Sequence, residues 1–137
     1  MKAVKNIRLK HFDYSRDGYY FVTICTNYNR PYLAKLGEKI TKSIQHLNEI
    51  DGLKVDYFVV MPTHIHLILI LSESKLSLGE IVRRFKAAGS REAGIRLWQP
   101  NYYEHVIRSE KALLKIREYI QNNPLKEKIN FETIYEA

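Results

Sequence analysis

The segment from Val59 to Leu71 constrains the fold more than any other part of the sequence. Two largely apolar segments, 55–61 and 64–71, flank the dipeptide Pro62-Thr63, and each is long enough to form a strand. A turn through this dipeptide would make the two strands antiparallel neighbours in one hairpin. The sequence therefore predicts a β-hairpin, with the second strand of the interior type.

Two histidines, His64 and His66, open the second strand of this hairpin. Because side chains alternate across a strand, both imidazoles project from the same face and can reach a single cation. Burying imidazoles in so apolar a strand is unfavourable unless a hydrogen-bond partner or a bound ion satisfies them. Two explanations stay open at this point. The histidines are either packed and satisfied at a strand end or form half of a metal site.

The remaining elements follow from hydrophobic periodicity and from turn and capping signals. They are a strand over 19–26, a helix over about 37–51 that Gly52 stops, a helix over about 76–92 capped by Ser77, a strand over 102–108, and a helix from Ser109 to the Asn123-Pro124 boundary. The order β-α-β-β-α-β-α is that of a ferredoxin-like α+β sandwich, with helices on one face of an antiparallel sheet. We predict this fold for a single domain over residues 1–137.

The chain carries a formal net charge of +7, and much of the basic charge falls in the N-terminal arm and in the second helix. In that helix, Arg83, Arg84 and Lys86 are the predicted DNA contacts, with Lys86 the first choice for a phosphate. Excess positive charge attracts polyanions and suits contacts with a phosphate backbone. A merely solvated basic face is the alternative, and charge alone does not choose between DNA and RNA.

The single cysteine, Cys25, excludes an internal disulfide framework and fits a reducing cytoplasm, where it is expected to act as a small buried hydrophobic residue. The longest uninterrupted apolar run, 67–71, is far shorter than the roughly 20 residues of a membrane helix. The N-terminus opens no apolar signal region. We therefore expect a cytoplasmic protein with no membrane partner.

The third helix brings a tyrosine and an asparagine to its packed side. Tyr119 and Asn123 fall on or beside the apolar stripe of this helix, roughly 40° apart around its axis. A tyrosine in the core and a helix-ending asparagine before Pro124 would explain them. Alternatively, Asn123 supplies a third metal ligand through its carbonyl oxygen and Tyr119 supplies a nucleophile. A tyrosine attacks phosphorus well when a metal polarises the phosphate.

Three linked segments resemble a known family. They are 59–66 with the histidine pair, 98–108 (Trp-Gln-Pro-Asn-Tyr-Tyr-Glu-His-Val-Ile-Arg), and 119–124 (Tyr-Ile-Gln-Asn-Asn-Pro), and the opening 8–26 is similar as well. With these segments the chain resembles the single-tyrosine HUH transposases of the IS200-like family, close to the REP-associated tyrosine transposases. Thr63, where the family most often has Asn, and Pro100, where a basic residue is frequent, depart from the pattern.

The resemblance implies a metal-dependent endonuclease and strand transferase that acts on single-stranded DNA beside a hairpin. Tyr119 matches the nucleophile, His64 and His66 match the paired metal ligands, and Asn123 takes the place of the ligand that completes the site. Mg²⁺ or Mn²⁺ is the implied ion. Attack would leave a 5′-phosphotyrosine and a free 3′-hydroxyl. Whether the site forms within one chain or between the two chains of a homodimer stays open.

Neighbouring polar and aromatic residues are weaker candidates. His105 is predicted to orient a metal ligand from an adjacent strand, with Glu104 as the alternative and surface exposure as a further possibility. Four aromatic residues are candidates for stacking on unpaired bases, and we expect at most one of them to do so because core packing is the default for such side chains. These are Phe85, Trp98, Tyr102 and Tyr103.

Three other functions match parts of this pattern. A non-catalytic ferredoxin-like nucleic-acid-binding module would use the aromatic residues and the basic helix, and would tolerate the loss of Tyr119. A histidine phosphohydrolase is disfavoured because Ile68 stands where a third alternate histidine would be needed. Replication initiators and relaxases share the histidine pair and a tyrosine, but they are usually longer.

Overall fold

The architecture alternates strands and helices in the predicted order. The computed structural model describes residues 17–122. Its elements are β1 (Gly18–Cys25), α1 (Leu33–His46), β2 (Leu53–Met61), β3 (His64–Leu71), α2 (Leu78–Ala93), β4 (Tyr103–Ile107) and α3 (Glu110–Gln121). Short 3-10 turns at Asn27–Asn29 and Leu47–Glu49 flank α1.

The four strands form one antiparallel sheet in the order β2-β3-β1-β4. The predicted hairpin is confirmed, since Met61 pairs with His64 across the two-residue turn. β3 lies between β2 and β1, as expected of an interior strand. This order and the element sequence confirm the ferredoxin-like α+β fold.

Both faces of the sheet are covered, and this departs from the expectation that all helices lie on one face. One core cluster joins α1 and α2 to alternate residues of β1, such as Tyr20 and Val22. A second cluster joins α3 to the opposite face through Phe21 and Ile68. The central strands also carry apolar residues, such as Phe21 and Ile68, on this second face. Covering them with a helix removes apolar surface from water and stabilises the fold.

Helix α1 begins earlier than its sequence predicts. It starts at Leu33 rather than near Gly37, and its regular part ends at His46 before a 3-10 turn. The side chain of Tyr32, the residue before the helix, makes no capping hydrogen bond. Instead, the backbone N–H of Leu33 donates to the carbonyl of Pro62 at 3.0 Å. The turn before the histidines thus satisfies one of the free donors at the start of α1.

The other helix boundaries were predictable from capping signals. The Ser77 hydroxyl accepts from the N–H of Glu80, and the Ser109 hydroxyl accepts from the N–H of Ala112. These side chains begin α2 and α3, as predicted. Gly52 stands just before β2 with φ of +84°, where an added Cβ would lie 2.7 Å from the carbonyl oxygen of Ser72. Glycine is required at that turn.

Within residues 17–122, no helix combines the length and the apolar character needed to cross a membrane.

Candidate active site

The two histidines of β3 lie side by side on the sheet face that α3 covers. Their ring centroids are 4.8 Å apart, with the planes inclined at 64°. His66 is almost fully buried, whereas His64, at the strand end, is half-buried. The prediction that both imidazoles share one face is confirmed, and the two rings are close enough to bind one metal ion.

Tyr119 brings the third helix to this pair. Its ring centroid lies 5.4 Å from that of His66, edge-on at 70°, and only 7% of the residue is exposed. Because α3 begins with the Ser109 cap and packs through Ala112 and Ile116, its inward face carries Tyr119 onto β3. The tyrosine and the histidine pair therefore meet within a single chain.

Two threonine hydroxyls orient the imidazoles. Thr23 Oγ1 on β1 lies 2.8 Å from His66 Nδ1, and Thr63 Oγ1 lies 3.0 Å from His64 Nδ1. When Nδ1 carries the proton, it donates to the hydroxyl and Nε2 keeps its lone pair for a cation. The Nε2 atom of His66 is buried and has no hydrogen-bond partner among the described residues. A buried, unpartnered imidazole nitrogen of this kind suits a metal ligand.

Burial also keeps the two histidines neutral. Desolvation, together with the neighbouring His64 ring, lowers the pKa of His66 to about 3. Desolvation likewise lowers the pKa of His64. A neutral imidazole is the form that binds a metal, so both side chains are in the binding state at neutral pH.

The histidine pair needs a further ligand to complete a metal site. Among residues 17–122, no three His, Cys, Asp or Glu side chains form a group that could hold an ion. Cys25 is the register partner of His64, but burial raises the pKa of its thiol, which disfavours the thiolate that metals bind. The predicted third ligand, Asn123, lies outside the described residues. Its role therefore stays a prediction.

An ion pair fastens α3 to the edge strand beside the site. The guanidinium of Arg117 donates from Nε to Asp56 Oδ2 at 2.7 Å and from Nη2 to Asp56 Oδ1 at 2.9 Å. Asp56 stands where the β2–β3 register shifts, and the guanidinium also lies 5.3 Å from the ring centroid of Tyr57. Two-point contacts of this kind fix orientation as well as distance. Arg117 precedes Tyr119 by two residues, so the pair helps to set the position of the tyrosine.

The predicted DNA contacts of the basic helix are on the other face of the sheet. Arg83 and Arg84 both bind Glu80, at 2.6 Å and 2.8 Å, and these hydrogen bonds lower the pKa of Glu80 to about 2. Lys86 donates to the carbonyls of Gln99 and Pro100, at 2.7 Å and 3.1 Å. The two arginines are exposed, but the structure gives Lys86 a structural contact that a phosphate would have to replace.

His105 shares the site's sheet face but lies away from the histidine pair. It is on β4, which β1 separates from β3, and its register partner is Phe21. Its ring centroid is 4.4 Å from that of Tyr103. The expectation that β4 adjoins the histidine strand is therefore wrong, because β1 takes the place between them. Glu104 points to the opposite face and is buried.

The four aromatic candidates for base stacking are packed against the protein. Phe85 and Trp98 are buried with ring centroids 5.8 Å apart, Tyr103 is buried, and Tyr102 is half-buried against the larger core. These side chains pack in or against the core, as aromatic residues usually do. Sequence reasoning also missed Thr23, whose contact with His66 depends on strand register, and Asp56, whose partner is 61 residues away.

Comparison with known proteins places these observations in a family context. A family model described as "Transposase IS200 like" matches residues 14–123. An uncharacterised protein of Haemophilus influenzae is 35% identical over 162 aligned positions, which cover 88% of each chain. A REP-associated tyrosine transposase of Escherichia coli K12 is 27% identical over 115 positions, covering 82% of this chain and 70% of the relative.

A structural comparison supports the fold assignment. The structure of a REP-associated tyrosine transposase bound to a REP hairpin superposes with a TM-score of 0.74, covering 89% of this chain and 73% of the other at 24% identity. The likeness extends over most of the described domain. It confirms the mixed fold with a four-stranded antiparallel sheet.

Proposed function

Because the chain belongs to the IS200-like transposase family, we propose that it nicks and joins single-stranded DNA through a covalent bond to Tyr119. Family membership makes it a DNA-binding enzyme of the transposase kind. The observation that carries the finer proposal is the contact of Tyr119 with His66 in one chain, beside His64. A nucleophile and a pair of metal-ligand side chains at one place are what phosphoryl transfer to a tyrosine requires.

The covalent step exchanges one phosphate ester for another. The phenolic oxygen of Tyr119 bonds to the phosphorus of the scissile phosphodiester, and the bond from phosphorus to the 3′-oxygen breaks. The phenol loses a proton and the 3′-oxygen gains one, which leaves a 5′-phosphotyrosine and a free 3′-hydroxyl. Because the number of phosphate ester bonds is unchanged, a 3′-hydroxyl can reverse the step and rejoin a strand.

We propose that His64 and His66 hold Mg²⁺ or Mn²⁺ through Nε2, with Asn123 as the third ligand. Such an ion would polarise the phosphate and offset its negative charge. The contacts of Thr23 and Thr63 with Nδ1 orient the imidazoles, and Nε2 is available to the ion when Nδ1 carries the proton. The packing of α3 excludes water from the buried ring of Tyr119 and holds the nucleophile beside the ligands.

We propose a hairpin-forming repeat as the DNA substrate. The Escherichia coli relative is named a REP-associated transposase, and the fold neighbour was solved with a REP hairpin. The formal net charge of +7 suits a phosphate backbone. A hairpin would bring an unpaired strand to the site at a fixed distance from a duplex.

Denaturing electrophoresis tests this proposal. We would mix the protein with labelled single-stranded hairpin DNA from repeats flanking its gene, in Mg²⁺ or Mn²⁺. The expected result is specific cleavage with a covalent band of protein and DNA. The band should disappear in Tyr119→Phe and in the presence of a chelator, because the first lacks the nucleophile and the second removes the ion.

Tyr32→Phe is the matched control, since it removes a tyrosine hydroxyl at the start of α1, on the opposite face of the sheet. This variant should cleave like the wild type. If Tyr119→Phe forms the same covalent band, Tyr119 is not the nucleophile. Binding without a covalent band, across several repeats and both ions, would instead support a non-catalytic nucleic-acid-binding module.

A further inference from the structure

An exposed tyrosine stands at the end of the sheet where the histidines begin. Tyr28 lies in the loop from Thr26 to Pro31 between β1 and α1, and 79% of it is exposed. Its φ is 57°, and that of Asn29 is 54°. Left-handed backbone is unfavourable for a residue with a bulky side chain, and here the ring gains little burial in return. Burial within residues 17–122 therefore does not explain a tyrosine at this position.

The loop is held in place by the body of the domain. The N–H of Thr26 donates to the carbonyl of Thr63 at 2.9 Å, and its hydroxyl donates to the carbonyl of Arg30 at 2.7 Å. Gln99 Nε2 donates to Asn29 Oδ1 at 3.3 Å. These contacts maintain the left-handed pair of residues, so Tyr28 is presented on a fixed support rather than on a free loop.

The same contacts join the loop to the candidate active site. Thr63, whose carbonyl binds Thr26, also places its hydroxyl 3.0 Å from His64 Nδ1. The loop that carries Tyr28 and the turn that carries Thr63 therefore lie at the same end of the sheet as the histidine pair. Arg30 adds a cation, with its guanidinium carbon 5.8 Å from the centroid of the Tyr28 ring.

We propose that Tyr28 and Arg30 form a subsite for an unpaired nucleotide next to the scissile phosphate. The base would stack on the tyrosine ring and a neighbouring phosphate would contact the guanidinium. Exposed aromatic rings with nearby cations are the usual arrangement for binding unpaired bases, whereas bases within a duplex are already stacked. This inference rests on the proposed function and adds a contact that the catalytic residues do not provide.

Binding of an oligothymidylate that carries one 2-aminopurine tests the subsite. Tyr28→Ala should raise the Kd about fivefold or more and remove the quenching of the aminopurine, whereas Tyr28→Phe should retain both. Tyr28→Gly should also bind weakly but melt at a higher temperature than the wild type, because glycine accepts the left-handed backbone. A gain in stability with a loss of affinity would separate stacking from misfolding.

The salt dependence distinguishes the two side chains. Arg30→Gln should reduce the slope of log Kd against log salt by about 0.7, the value for one contact with single-stranded phosphate. Tyr28→Ala should leave the slope unchanged. Leu114→Ala, which removes another exposed apolar side chain on α3, is the control and should bind like the wild type.

The outcomes keep the two proposals apart. Wild-type affinity and quenching in Tyr28→Ala, in a protein that still forms the Tyr119 adduct with hairpin DNA, would overturn the subsite and leave the function standing. A wild type that does not bind the oligothymidylate would overturn the subsite as well. If the wild type binds the oligothymidylate through Tyr28 but never forms an adduct with hairpin DNA, the result would support the subsite and contradict the proposed nuclease activity.

Discussion

At the scale of single residues, threonine hydroxyls contact both histidines of the candidate site. Thr23 contacts His66 Nδ1 at 2.8 Å while itself only 1% exposed. Thr23→Val keeps the shape of the side chain and leaves the Nδ1 atom of His66 without this hydrogen-bond partner. We expect the free energy of unfolding to fall by about 1–3 kcal/mol and the affinity for Mn²⁺ to fall about tenfold. Urea unfolding and calorimetric titration would measure these changes.

Thr23→Ser is the matched control for this prediction, since it keeps the hydroxyl and loses only a methyl group. It should bind Mn²⁺ like the wild type. Equal metal affinity in the valine and serine variants would show that the hydroxyl does not orient His66.

A second prediction concerns His105, which burial keeps neutral. Burial and the positive charge of Arg108 lower its pKa to about 4, whereas an unfolded histidine titrates near 6.5. Between these values the unfolded chain binds a proton that the folded protein does not. The free energy of unfolding should therefore decrease as the pH falls from about 6.5 to about 4.

His105→Gln should weaken this pH dependence without removing it, because His66 is also held neutral. The measurement is the urea midpoint of both proteins near neutral pH and near pH 5, in chelator. An unchanged pH slope in the variant would contradict the assignment of this titration to His105.

The positions of the candidate site residues were predictable from local patterns, but the residues that contact them were not. Strand alternation placed His64 and His66 on one face, and helical spacing turned Tyr119 inward. Thr23 was missed because its contact depends on the pairing of β1 with β3, which joins residues 43 positions apart. Asn123 remains a prediction from spacing and family resemblance.

At the scale of elements, the docking of α3 depends on the ion pair of Arg117 with Asp56. Arg117→Lys keeps the charge but loses the two-point geometry. We expect the free energy of unfolding to fall by about 1–3 kcal/mol and adduct formation to slow, with DNA affinity little changed. Single-turnover cleavage and a binding titration separate these two effects.

Arg91→Lys, on the exposed end of α2, is the control for this substitution and should cleave and unfold like the wild type. Asp56→Asn should reproduce the defect of Arg117→Lys from the other side of the pair. A normal cleavage rate in both Arg117→Lys and Asp56→Asn would show that α3 is positioned by apolar packing alone.

Element boundaries followed the same division between local and distant causes. The serine caps of α2 and α3 are encoded within a few residues, and both were predicted. The start of α1 was not, because the carbonyl of Pro62 satisfies the N–H of Leu33 from a distant turn. The sequence also did not predict that α3 covers the sheet face opposite α1 and α2, for a similar reason. Apolar residues on both sides of β1 do not say which helix covers which side.

At the scale of the whole molecule, the contact of Tyr119 with His66 predicts an active site formed within one chain. Mixing Tyr119→Phe with His64→Ala should therefore leave cleavage absent, since neither chain holds a complete site. Electrophoresis of equimolar mixtures would measure this, with each variant mixed with wild type as the control. Recovery of the covalent band in the mixture would show that chains exchange their third helices.

The two-sided sheet has a consequence for misfolded forms of the protein. A slip of β3 by one residue against β1 would turn His64 and His66 into the core under α1 and α2, and would turn Ile65 and Leu67 toward the tyrosine. The same error would thus bury two imidazoles in an apolar core and dismantle the site. A register error would therefore cost both stability and the proposed nicking activity, so we expect only the correctly registered molecules to be active.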